Sequence, residues 1–514
     1  MIIKVLLLIV FFAVMFGVGI YCKKHATNVS GFVLGGRSVG PWMTAFAYGT
    51  SYFSAVVFIG YAGQFGWKFG LASTWIGIGN AVIGSLLAWL ILGKRTRIMT
   101  KHLHSATMPQ FFEKRFDSKS LKIVASIIVF VFLVPYTASI YNGLSSLFGM
   151  AFNIPYQVCV IVMALLTAAY VILGGYMATA INDFIQGIIM LIGIVAVIVA
   201  VLNGQGGFTE AVAKLAEIEG TNSLGNVQPG VFASFFGPDF VGLCSVIVLT
   251  SLGTWGLPQM VQKFYAIKSE DDIAKGTIIS TVFAVIVAGG CYFLGGFGRL
   301  FDCEAIYKAD GSIAFDTIIP TMLANVPDLL MGIIIVLVLS ASMSTLSSLV
   351  LTSSSTLTLD LIKGNIVKDM KEKTQLLYMR VLIIVFVVIS VVLALNPPAF
   401  IAQLMGISWG ALAGAFLAPF LLGLYWKGTT KLGVWAGFIS GVGITVSNMF
   451  FKMFSSSITA GAAAMGIGFV VVFVVSLITP KMAATRIGEI FACYEEKVSV
   501  TKTMLIVDEE NNNK

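Results

Sequence analysis

The sequence predicts an all-α polytopic membrane protein with about thirteen transmembrane helices. Three observations carry that expectation. Hydrophobic residues make up 58% of the 514 residues and charged residues 11%, against about 25% charged in ordinary soluble domains. Mean hydropathy is +0.94. Apolar stretches of roughly 18 residues or more, long enough to cross a bilayer, recur along the chain.

Taken in order, these stretches centre near residues 13, 52, 82, 134, 165, 193, 250, 286, 342, 387, 411, 441 and 469. The first, Val5 to Ile20, has the length of a signal peptide. It lacks an A-x-A cleavage site and is followed by Lys23 and Lys24, so it is expected to remain as a first helix. The second is interrupted by Gly49 and Gly60, and Gly174-Gly175 marks a hinge between the fifth and sixth. Glycines of this kind stand where membrane helices bend or break. The longest stretch outside the membrane, Asn203 to about Asp239, contains a short amphipathic helix at Phe208 to Glu219. A second short helix is expected at Ala484 to Lys497, before a polar, disordered end at Asp508 to Lys514. The chain therefore divides into a transmembrane domain, 1–480, and a tail, 481–514.

Charge sets the topology. Lys94, Arg95, Arg97, Lys101, Lys114, Arg115, Lys119 and Lys122 share one loop, and Lys363, Lys368, Lys371 and Lys373 another. By the positive-inside rule both are cytoplasmic. An odd number of helices then puts the N-terminus outside and the tail, with Lys481, Arg486 and Lys497, in the cytoplasm of a cell-membrane protein. The net charge of +8 reflects this topology, and no nucleic-acid partner is expected. The six cysteines show no CxxC, and His25, His102 and His104 fall in or beside basic loops with no carboxylate or Cys partner adjoining the His102/His104 pair, so neither a disulfide framework nor a metal centre is expected. There is no GxxxxGK[ST] and no catalytic constellation; an enzyme is not expected, and energy would come from an ion gradient or a solute.

Two residue groups ask for a role. Ser344, Thr345, Ser347 and Ser348 put four hydroxyls into one turn of the apolar run from Leu330 to about Leu357. Each alone can bond back to a carbonyl three or four residues earlier, and together they can pack helices. Hydroxyl oxygens also suit a small hard cation such as Na+, and transporters hold coupling ions at mid-membrane with such groups and the carbonyls of broken helices. Positions 344, 347 and 348 share one helical face. The second group is Asn182-Asp183, where the carboxylate either complements a helix N-terminus or is an ion ligand within the membrane.

The run Gly174 to Met190, GGYMATAINDFIQGIIM, resembles the signature of the sodium/solute symporter family, whose members include proline, pantothenate, sialic acid, sugar and monocarboxylate carriers. Leu34 to Pro41, LGGRSVGP, and Ala341 to Ser347, ASMSTLS, resemble the segment before the first core helix and the sodium-site helix of the proline carriers. The resemblance implies a LeuT-type fold of two inverted five-helix repeats, about 41–202 and 238–425, whose first helices are broken. It implies a first Na+ site at the carbonyls of Thr50, Phe53 and Ala341 and the hydroxyls of Ser344 and Thr345. It also implies a second at Asp183, Ser344, Ser347 and Ser348, and by analogy about two Na+ per solute.

The implied activity is Na+-coupled symport of a small organic solute by alternating access, with the bilayer, Na+ and the solute as partners. Ser54, Tyr136, Thr254 and Trp255 are the candidate solute contacts, and Arg37 is a candidate gate residue paired with an acidic partner. Proline carriers have an aspartate where this chain has Tyr52, a tryptophan where it has Val56, and a tryptophan and a tyrosine where it has Thr250 and Thr254. A small amino acid, such as proline, or an organic acid is therefore the expected class, with pantothenate, a monocarboxylate, sialic acid or a sugar as alternatives. An ion channel or a solute sensor on the same fold is the other functional class. The sensor is disfavoured because about 34 residues after Pro480 cannot form a sizeable signalling domain.

Overall fold

A computed structural model describes residues 2–152, 154–222, 224–324, 326–396 and 401–495. We label the principal helices α1 (Ile2–Cys22), α2 (Pro41–Tyr52), α3 (Val56–His102), α4 (Lys119–Phe152), α5 (Tyr156–Gly204), α6 (Phe240–Gly256), α7 (Pro258–Ala266), α8 (Asp271–Gly295) and α9 (Asp328–Thr356). They are followed by α10 (Glu372–Leu395), α11 (Ile401–Tyr425), α12 (Lys431–Phe451), α13 (Ser457–Ile478) and α14 (Ala484–Phe491). Among the described residues, one antiparallel pair, Glu219–Thr221 with Val227–Pro229, is the only sheet.

Among the described residues, ten helices are long and apolar enough to cross a membrane, or eleven if α6 and α7 form one bent span. The expected thirteen is reached only by counting α3 and α5 twice. These stretches are 47 and 49 residues long, about 70 Å each at 1.5 Å per residue and about twice the hydrocarbon thickness. Each contains a glycine with non-helical backbone: Gly70 (φ 61°, ψ −141°) in α3 and Gly175 (φ 55°, ψ −150°) in α5. A Cβ at Gly70 would lie 2.0 Å from the Phe232 carbonyl oxygen, so both the conformation and the contact require glycine.

In a bilayer, helices gain little from burying apolar surface against one another, and close backbone approach takes its place. A Cβ on Gly66 of α3 would meet the Gly295 carbonyl oxygen of α8 at 1.9 Å, and one on Gly441 of α12 would meet the Gly414 carbonyl carbon of α11 at 2.1 Å. Helices α9 and α11 are almost wholly enclosed by their neighbours, whereas α1, α10 and α13 present Leu6, Ile9, Val388, Val392, Val470 and Phe473 outward, as a lipid-facing surface requires.

Three contacts order the ends. Lys4 at the start of α1 pairs with Asp328 at the start of α9 at 2.9 Å. On the opposite side, Val39 before α2 and Ile267 after α7 form a parallel bridge, with Val39 donating to the Ala266 carbonyl at 3.3 Å and Lys268 to the Val39 carbonyl at 2.9 Å. The described part of the tail, to residue 495, folds back on that side, where the Arg115 guanidinium lies over Phe491 at 4.9 Å and that of Arg95 over Tyr494 at 4.6 Å. The tail helix thus stops at Phe491, with one tight turn to Tyr494, short of the expected Lys497; Lys497 and the polar end lie outside the described residues. The amphipathic helix in the long loop spans Phe208–Glu217.

Candidate ion and solute site

The site starts from two interruptions. Helix α2 ends at Tyr52, and Phe53 leaves helical geometry (φ −106°, ψ 84°) before the chain resumes in α3. In an unbroken helix the Thr50 carbonyl would accept from the amide of residue 54; here it faces α9. It accepts from the Ser344 hydroxyl at 3.1 Å and from the Thr345 hydroxyl at 3.2 Å. Both hydroxyls also reach the Ala341 carbonyl, at 3.2 and 3.1 Å. Four of the five oxygens expected at the first ion site therefore lie together, and all four residues are buried. Phe53, the fifth residue, lines the same small cavity as Ala341.

The donor set fits Na+: two carbonyls and two hydroxyls, neutral and hard. Oxygens bound to a hard cation at about 2.4 Å stand about 3.4 Å apart, so the observed 3.1–3.2 Å separations need only slight expansion. The hydroxyl hydrogens would rotate away and leave oxygen lone pairs to face the ion.

The residues expected at the second site meet differently. The Asp183 carboxylate on α5 lies 3.7 Å from the Lys263 ammonium of α7. That ammonium donates to the Ser348 hydroxyl at 2.9 Å, which in turn pairs with the Ser51 hydroxyl at 2.8 Å. The Tyr176 ring lies 5.3 Å from the ammonium. Lys263 and Asp183 are 3% and 0% exposed, so this charge pair is sealed within the protein. Ser347 turns away and donates to the Ser344 carbonyl of its own helix at 2.8 Å. Lys263 was missed in the sequence. Its signal was a lone cation in the buried helix after Pro258, a position that marks function by default in membrane segments.

The candidate solute contacts divide into two groups. Ser54 stands at the break, with its hydroxyl accepting from the Val56 amide at 3.2 Å, and the Tyr136 hydroxyl of α4 faces Ser54 and the Trp409 indole of α11. The Tyr136 and Trp409 rings are edge to face at 5.8 Å, and Trp409 also packs on Tyr52 at 6.1 Å. Trp409 was likewise missed, since an aromatic in an apolar helix carries no signal of its own. Thr254 and Trp255, at the end of α6, instead bond to the carbonyls of Gly84 and Ile83 at 3.3 and 3.0 Å. The space beside the break, lined by Phe53, Ser54, Met190, Cys291 and Ala341, is about 10 Å³, room for about one water. On the side away from the basic loops, a cavity of about 450 Å³ is lined by Gln64, Lys68, Asp239, Gln403 and Ser456.

Arg37 has carbonyl partners rather than the expected acidic one. Its guanidinium donates to the carbonyls of Tyr265 at 3.0 Å and Ser105 at 2.6 Å, beside the bridge of Val39 to Ile267. Burial, then the neighbouring Arg97, lowers its pKa to about 10, with Tyr265 opposing, so it stays charged at neutral pH. The fork thus ties the segment before α2 to the end of α7 and to the basic loop.

Residues 32–441 match the sodium:solute symporter family. Sodium/proline symporters of Staphylococcus aureus strains JH9 and JH1 are 31% identical over 460 residues, covering 86% of this chain and 85% of each relative. A Na+-coupled sialic acid symporter, solved in a substrate-bound outward-open state, superposes with a TM-score of 0.74 at 17% identity, over 93% of this chain and 98% of that one. A nucleobase-cation-symport family transporter with bromovinylhydantoin bound gives 0.50 at 14% identity, over 89% and 97%. The chain belongs to the sodium:solute symporter family and is a multi-pass membrane transporter of LeuT-type fold, not an enzyme, that couples movement of a small solute to Na+.

Proposed function

We propose that this symporter binds its coupling Na+ at the carbonyls of Thr50, Phe53 and Ala341 and the hydroxyls of Ser344 and Thr345, and that it carries a small amino acid or organic acid beside the α2 break. The observation that carries the ion assignment is the convergence of Ser344 and Thr345 on the Thr50 carbonyl across two helices. An ion held there joins α2 to α9, one from each proposed repeat (about 41–202 and 238–425), so its binding and loss are tied to their relative movement. In support of the repeats, α2 and α6–α7 are both interrupted partway, the latter bent by 47° at Leu257.

The solute lies against Ser54, Tyr136, Thr254 and Trp255, with Trp409 closing the aromatic side. Amino acids are favoured by the kinship to sodium/proline symporters, while Tyr52, Val56, Thr250 and Thr254 differ from the residues implied for proline carriers. The small central space describes a closed state, and the cavity at Gln64 and Lys68 is its approach from one face. That face is extracellular: the basic loops and the tail contacts at Phe491 and Tyr494 share the other side, and the pairing of Lys4 with Asp328 puts the start of α1 opposite them. The N-terminus is then outside and the tail, 481–514, cytoplasmic.

A thermal-shift screen of purified protein against amino acids, carboxylates, vitamins and sugars, in Na+ and in K+, tests this function. A ligand bound only by the folded state raises stability by RT ln(1 + [L]/Kd). The solute should stabilise in Na+ and not in K+, and uptake into proteoliposomes should need Na+. Na+ current without solute, or equal stabilisation in both salts, would reject coupled symport at this site.

A further inference from the structure

Two of the residues expected to hold a second ion, Asp183 and Ser348, already flank a cation that belongs to the chain. The Lys263 ammonium occupies the space between the Asp183 carboxylate, at 3.7 Å, and the Ser348 hydroxyl, at 2.9 Å. These are two of the residues that a second Na+ would need. Of the other two expected there, Ser344 is engaged with the Thr50 and Ala341 carbonyls and Ser347 is turned back on its own helix. Ser348 is also engaged with Ser51, and the Tyr176 face, the negative side of an aromatic ring, lies across from the ammonium. A Na+ bound to Ser348 at about 2.4 Å would lie no more than about 5 Å from the ammonium that the same hydroxyl accepts from, and two like charges at that distance in a water-poor interior repel strongly. One carboxylate balances one charge, and Lys263 supplies it.

We infer that Lys263 is a tethered substitute for the second coupling ion, so that this transporter binds one Na+, at the first site, and moves one Na+ per solute. The inference rests on the first-site assignment above and deepens it. Lys263 sits on α7, the second half of a broken helix, Asp183 on α5, and Ser348 on α9. The ammonium therefore joins three helices, as a bound ion would, yet cannot be released to either side of the membrane. It is also linked to the first site. Ser51, the partner of Ser348, follows Thr50 directly, and its own carbonyl stands 3.5 Å from the Thr345 hydroxyl. The fixed charge thus holds in place the stretch of α2 that supplies a carbonyl to Na+.

The test counts ions and needs no solute. Equilibrium binding of radioactive sodium to the purified full chain should saturate at one Na+ per molecule in wild type. It should rise to two in Lys263→Ala, where the carboxylate and Ser348 are freed and side-chain volume is removed. The pair Lys263→Ala with Asp183→Asn removes both charges, avoids a lone buried carboxylate and should return to one. Wild type binding two Na+ would overturn the inference whether or not any variant folds, as would a folded Lys263→Ala that still binds one. Failure of the underlying assignment looks different: a Ser344→Ala variant with unchanged sodium affinity, or wild type binding none, rejects the first site itself.

Discussion

Several hydroxyls of α9 bond back only to their own helix: Ser342 to Val338, Ser347 to Ser344, Ser354 to Leu351 and Ser355 to Thr352. Ser344 and Thr345 also reach across to the exposed Thr50 carbonyl, and it is this shared acceptor at a helix break that marks them as candidate ion ligands. Ser344→Ala should raise the Na+ concentration for half-maximal uptake about tenfold or more, equivalent to ~1.4 kcal/mol, while Ser342→Ala leaves it unchanged; sodium titration of uptake decides. Arg37→Lys keeps the charge but cannot span the carbonyls of Tyr265 and Ser105 as the fork does. Uptake should fall in Arg37→Lys as in Arg37→Ala, and full activity in both would remove the gate role. The hydroxyls of Ser344 and Thr345 stood out because hydroxyls in an apolar run are conspicuous, whereas the carbonyls of Thr50, Phe53 and Ala341 were implied only by the family resemblance. Lys263 was not legible as a partner of Asp183, because they are far apart in sequence and only the fold brings them together. The acidic partner expected for Arg37 was replaced by carbonyls for a related reason: backbone acceptors have no sequence signature.

At the scale of elements, glycine did two jobs that the sequence displayed unequally. The hinge at Gly174-Gly175 was visible as a pair, and Gly175 carries the non-helical backbone. The break in the second span fell at Phe53, between the glycines at 49 and 60, since those serve close packing: Cβ atoms there would meet Phe283 at 2.4 Å and Ile401 at 2.7 Å. The crossing of α3 and α8 is tighter still. Gly66→Ala should destabilise by about 1–3 kcal/mol through overpacking against backbone that cannot yield, read as a lower melting temperature in detergent. In the loop before α9, burial raises the Asp316 carboxyl from 3.8 to about 6, against the Ile401 amide that donates to it. The folded protein thus holds this proton more tightly than the unfolded chain. The contribution is full below about pH 3.8 and is lost as pH rises through 6. Asp316→Asn should flatten the fall in melting temperature across that window, and an unaltered profile would show that other groups set it.

For the whole molecule, membrane class and family were legible from composition and three spaced motifs, because they depend on residue types and order. The number of crossings was less so, since two of the helical stretches continue past a glycine that a hydropathy count treats as a boundary. Stoichiometry depended on one side chain's position. Proteoliposomes poised at a range of membrane potentials should give a reversal potential for one Na+ per solute, and the value for two would exclude a resident ammonium in the second position. The fixed charge of Lys263 also sets a limit on accumulation. A tenfold Na+ gradient supplies ~1.4 kcal/mol and a potential of about 100 mV ~2.3 kcal/mol per charge, enough to concentrate an uncharged solute about 500-fold with one ion. A second ion would square that ratio but spend twice the sodium on each molecule. A carrier with its second cation built in is thus suited to a solute plentiful enough for economy to matter more than scavenging.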